Sequence, residues 1–133
     1  MSSDIWKLDL KAGPVCVKRA LSKLKVKDDW FAPVSRNGYE VAWMQTARKI
    51  QPGSAPEILF HDVDAGLFVM PFLDPDTHPL WKASLRDGHT ETSEAAAVGK
   101  TLGRIHTNTA SDPDIAARFN TRSEERRGGR ECR

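Results

Sequence analysis

"VCVKRAL", residues 15–21, reads as a short apolar strand with a lysine in its middle and an arginine behind it. Side chains on a strand alternate between faces, so Cys16, Lys18 and Ala20 share one side while Val15, Val17 and Arg19 share the other. Lys18 therefore projects beside two small side chains, which leaves room for a flat group to lie against them. Taken alone, a strand lysine is most often a solvent-facing residue or a guard against edge-to-edge aggregation.

Working outward, "DIWKLDL" (4–10) alternates well enough for a strand with one polar face. "KAGP" is a turn, so residues 4–21 read as a hairpin. The polar, basic stretch 22–38 reads as a mobile connection. From Tyr39 to Ile50 the period changes, and Tyr39, Trp43, Ala47 and Ile50 form one stripe of an amphipathic helix. Asn37 is a candidate N-cap, with Glu40 three residues later in the first turn as a capping-box partner. "EILFHD" (57–62) and "GLFVMPFL" (66–73) then read as two strands joined by the turn between them.

"LWKASLRDG" (80–88) reads as a short helix ended by Gly88. Ser93 is placed as the cap of a longer helix, with Ala95, Val98, Leu102 and Ile105 as its buried stripe. Gly99 and Gly103, one turn apart, would let that helix approach a neighbour closely at a propensity cost of about 1 kcal/mol each. The order of elements predicts an α+β fold, a small antiparallel sheet with one helix laid across it.

Bulk properties narrow the function classes. The chain has 133 residues, 39% apolar and 29% charged, which describes one soluble globular domain. No apolar run approaches the roughly 20 residues needed to cross a bilayer, and the N-terminus lacks a secretory pattern. Cys16 and Cys132 are the only cysteines, so no disulfide framework is expected and a cytoplasmic location is the default. The net charge of +2 lies wholly in residues 122–133, leaving a neutral body with no electrostatic footprint for nucleic acid. Those twelve residues contain no apolar side chain but Cys132 and are expected to be disordered. His61 with Asp62 and Asp64, and His106 alone, do not read as metal ligands.

The ordered set of a strand lysine, a helix glutamate and a later hairpin ending in Met70 resembles the N-terminal lobe of the protein-kinase-like fold. More narrowly, "RNGYEVAW", "LFVMPFL", "LWKASLRDG" and "VGKTLGRIH" resemble aminoglycoside phosphotransferase and choline-kinase-type small-molecule kinases, including methylthioribose kinase. The resemblance covers roughly residues 4–119. It implies a kinase-like N-lobe over 1–73, a linker and the start of a second lobe over 74–121, and the tail beyond. It also implies that Lys18 binds the α- and β-phosphates of ATP with Glu40 as its partner. Cys16 would lie over the adenine and Met70 would be the gatekeeper. Pro71 would offer a carbonyl, and Leu73 an amide N–H, to the adenine edge.

The implied activity is ATP-dependent phosphorylation of a hydroxyl on a sugar, amino alcohol or aminoglycoside, with Mg2+ as the metal. A catalytically dead nucleotide-binding or protein-interaction module on the same lobe is the alternative. By the resemblance, the catalytic base and metal ligands belong to a His-x-Asp motif and a later Asp in the second lobe. The sequence carries neither after His106, so no catalytic residue and no metal ligand is assigned, and the chain is expected to be a fragment. "RSEERRGGREC" resembles the translation of a sequencing adapter, departing from it at Gly128 and Arg130, so the tail is expected to carry no function.

Overall fold

The computed structural model describes residues 2–25, 27, 30–89 and 91–120. The expected disordered tail, with its adapter-like stretch, lies outside the described residues. The elements run β1 (Ser3–Leu10), β2 (Gly13–Ala20), α1 (Arg36–Ile50), β3 (Phe60–Asp62), β4 (Leu67–Pro71), α2 (Trp81–Arg86), α3 (Thr92–Thr109) and α4 (Pro113–Arg118). Four antiparallel strands form one sheet in the order β1-β2-β4-β3. The arrangement is mixed, with helices beside an antiparallel sheet, in agreement with the expected α+β class.

The strand carrying Lys18 is thus interior, with β1 on one side and β4 on the other. Pairing sets Lys18 opposite Ile5 on β1 and Phe68 on β4, while Cys16 stands opposite Lys7 and Met70. Directly opposed residues share a face, so Cys16, Lys18, Ala20, Phe68 and Met70 line one side of the sheet. Helix α1 covers that side, since its Glu40 reaches Lys18. Phe68 is 0% exposed and is the largest fully buried side chain among the described residues.

Helix α1 begins at Arg36, three residues before the expected start, and its N-cap is Ser35. Asn37 is not the cap. It lies inside the helix, 3% exposed, with its Oδ1 unpartnered. Glu40 accordingly stands in the second turn and not in a capping box. Ser35, Arg36 and Asn37 are all compatible with a helix start, and the contacts of Arg36 with the central hairpin extend the helix backward. Arg48 and Lys49 in the last turn suit the partial negative charge there, and Pro52 and Gly53 prevent continuation.

The buried stripe of α1 also differs from the expectation. Val41, Ala42 and Ala47 are buried, whereas Trp43 is exposed. The helix meets the sheet with one side and α3 with the other. Ala47, Ala55 and Ile105 form the small core between α1 and α3, with Met44 and Ile50 packed against it.

In α3 only Ile105 of the expected stripe is buried; Ala95, Val98 and Leu102 are exposed. The N-terminal half of α3 is exposed, and its C-terminal half packs against α1 through Ile105. Ser93 lies inside the helix, whose N-cap is Glu91. The glycines at 99 and 103 mark no close approach either, because a Cβ at either position would meet nothing within 4 Å. Helix α4, begun by Asp112 accepting from the amides of Asp114 and Ile115, was not expected from the sequence.

The turn before β4 depends on Gly66. Its φ is +61°, and a Cβ there would collide with Val34 Cγ1. Its carbonyl accepts from Ala20 N–H at 2.9 Å, closing the end of the Lys18 strand. Gly66→Ala would combine left-handed backbone strain with a side-chain clash, at a cost of about 2 kcal/mol or more. Urea melts should show that loss as an earlier midpoint with an unchanged slope.

Candidate functional site

Lys18 Nζ donates to Glu40 Oε1, an ion pair between the interior strand and the helix laid over it. The side chains are 21% and 37% exposed, so the pair is partly shielded from water. Its ammonium also lies 5.9 Å from the centroid of the Phe68 ring. A lysine on four rotatable bonds would otherwise sample many positions. The carboxylate fixes the cation at one place above the sheet while leaving donor capacity on Nζ.

Three contacts of Arg36 set the helix so that Glu40 arrives there. Its guanidinium donates to the carbonyls of Leu21 at 2.9 Å, Pro33 at 3.2 Å and Ser2. Leu21 follows the last residue of β2 and Ser2 precedes the first of β1, so Arg36 ties the start of α1 to the end of the central hairpin. Sequence reasoning missed this residue because "PVSRNG" reads as a polar connection. Nothing in its spacing announces a guanidinium that collects carbonyls from three separate segments.

Cys16, two residues before Lys18, is 9% exposed. Burial pushes its thiol above the ordinary value of 9.0, and the Lys18 ammonium partly offsets that rise. A folded-state value above the unfolded one means the neutral thiol is favoured by folding. The stabilisation is intact below about pH 9 and is lost as the pH climbs through the raised value. Thermal melts across that range should therefore fall more steeply for the natural chain than for Cys16→Ala. Parallel curves would show that the thiol does not titrate differently on folding.

Met70 stands opposite Cys16 near the end of β4, half-buried. Pro71, opposite Val15, is the last residue of that strand. The next residue, Phe72, donates its N–H to the Pro14 carbonyl at 3.2 Å, and its ring carries the Lys7 ammonium at 4.7 Å. Leu73 follows, 44% exposed, where the chain leaves the sheet. Cys16, Lys18, Glu40 and Met70 are thus brought to one side of the sheet, with Pro71 and Leu73 at its end.

Three clefts lie elsewhere on the molecule. One, of about 480 Å3, is lined by Gln45, Lys49, Asn108, Asp112 and Arg118 between α1 and α4. A second, of about 390 Å3, lies between the start of α1 and Arg118. A third, of about 340 Å3, lies between Trp43 and the exposed half of α3. None of them includes Lys18, Glu40, Cys16 or Met70. Among the described residues no group of three or more His, Cys, Asp or Glu side chains could hold a metal ion, and no helix is long and apolar enough to cross a membrane. Comparison with protein-family models and with curated proteins finds no match for this chain.

Proposed function

We propose that this chain is the nucleotide-holding lobe of an ATP-dependent small-molecule phosphotransferase, similar to the aminoglycoside phosphotransferase and choline-kinase-type enzymes. Its phosphoryl acceptor would be a hydroxyl on a sugar, amino alcohol or aminoglycoside. The observation that carries the reading is the Lys18–Glu40 ion pair, formed across a strand and a helix beside the small side chain of Cys16. Phosphoryl transfer is catalysed mainly by positioning and charge stabilisation, and a lysine fixed by a glutamate offers both to the α- and β-phosphates.

In this reading the adenine lies against Cys16, with Met70 limiting the depth of the site. The Pro71 carbonyl accepts from the base and the Leu73 N–H donates to it. Proline is compatible with that role because only its carbonyl is used. Magnesium, when bound with the nucleotide, neutralises charge between the β- and γ-phosphates. The described residues contain no donor cluster that fits it, so no step is assigned through the metal. Lys18, Glu40, Cys16, Met70, Pro71 and Leu73 hold and orient nucleotide, and none of them accepts the proton of a substrate hydroxyl.

Alkylation of Cys16 tests this reading. Saturating ATP should slow iodoacetamide modification of the Cys16 peptide several-fold, because the base would cover the thiol. A modification rate unchanged by nucleotide would remove the adenine from this face and the proposal with it.

A further inference from the structure

The two edges of the sheet are built differently. Strand β3 is three residues long, while β1 runs eight residues and is exposed from Ile5 to Leu10. Among the described residues its outward edge has no neighbouring strand to pair its main-chain donors and acceptors, and no proline interrupts it. Trp6 is 44% exposed, Leu8 46% and Leu10 54%, and alternation places all three on the side of the sheet away from α1. Natural edges are ordinarily kept short, bulged or broken by proline, and a long apolar one is a template for another strand.

We propose that β1 pairs antiparallel with β1 of a second copy of this chain, joining two four-stranded sheets into one of eight strands. The order of charges along β1 selects the second copy as the occupant. Lys7 and Asp9 flank Leu8 on one face and are themselves 3.6 Å apart. With the two-fold axis at Leu8, each Lys7 stands opposite Asp9 of the second copy, so two opposite-charge pairs form. On the other face Trp6 stands opposite Leu10, Leu8 opposite Leu8, and Leu10 opposite Trp6, a continuous apolar row across the junction. Moving the axis to Lys7 or Asp9 sets like charges against each other. Moving it to Trp6 sets Leu8 against Asp4. The strand is self-complementary with the axis at Leu8, as a two-fold interface between identical chains requires.

Sedimentation over a concentration series, with the full chain, tests the proposal. A reversible monomer–dimer equilibrium is expected. Asp9→Lys should raise the dissociation constant about tenfold or more, because both pairs become repulsive. Its melting temperature measured under monomeric conditions should not change, since the Asp9 side chain is 79% exposed. The double variant Lys7→Asp/Asp9→Lys restores opposite charges across the junction and should restore association. Leu8→Lys, placing two ammonium groups on the axis, should give a monomer at all concentrations. A natural chain that stays monomeric at its highest attainable concentration overturns the proposal. So does a dimer indifferent to Asp9→Lys, which would assemble through another surface.

Discussion

Phe68→Ala should cost about 3–5 kcal/mol and leave much of the chain unfolded at room temperature. The ring is 0% exposed and lies under α1, opposite Lys18. Truncation removes its transfer free energy and leaves a cavity that the short strands cannot close. The other buried apolar side chains, among them Val41, Ile105, Ala42 and Ala47, are all smaller than the ring and cannot replace its volume. Total stabilities of small domains are only about 5–15 kcal/mol, so a loss of this size is decisive. Far-ultraviolet circular dichroism against urea would read it. A midpoint close to that of the natural chain would mean that the sheet and α1 are held by something other than this contact.

The second large effect concerns charge. Lys18→Met keeps most of the side-chain volume and removes the cation, so ATP affinity should fall about tenfold to a hundredfold. Binding by the natural chain should itself be weak, on the order of millimolar, because none of the three clefts described above includes Lys18 or Glu40. Phosphorus NMR of the nucleotide during titration with protein measures both. The stability cost of the same change should be near 1 kcal/mol, as expected for a partly exposed pair, so lost binding can be separated from lost folding. Glu40→Gln should weaken ATP binding less, since the lysine charge remains and only its position is loosened. Neither the natural chain nor these variants should transfer phosphate to sugars, amino alcohols or aminoglycosides. A natural chain that did so would place a catalytic base on an acid outside the Lys18 side of the sheet.

Much of this arrangement was legible because strands repeat every two residues. That period alone put Cys16, Lys18 and Ala20 on one face, and the paired turn signals gave both hairpins. The charge partner came from the resemblance, which pairs Lys18 with Glu40 on the helix that follows, whereas local pattern alone made Glu40 a capping-box residue. Helix starts were not legible. Asn37 and Ser93 are good caps by type, yet both lie inside their helices, because tertiary contacts such as those of Arg36 compete with local capping worth about 1 kcal/mol. Burial in α3 was misread for a related reason. Periodicity shows which residues could face a partner, and Val98 and Leu102 remain 38% and 41% exposed. Gly66 carries its meaning in a clash with Val34, a residue far from it in sequence, and no local pattern reports that.

In the proposed reading the Lys18 side of the sheet holds a nucleotide. Amide NMR spectra of the chain, recorded during titration with magnesium ATP, test it most directly. A nucleotide held there should give saturable shifts concentrated at Cys16, Lys18, Glu40, Met70 and Leu73, and these should disappear in Lys18→Met. Shifts confined to the cleft around Lys49, Asp112 and Arg118, or none at all, would contradict it.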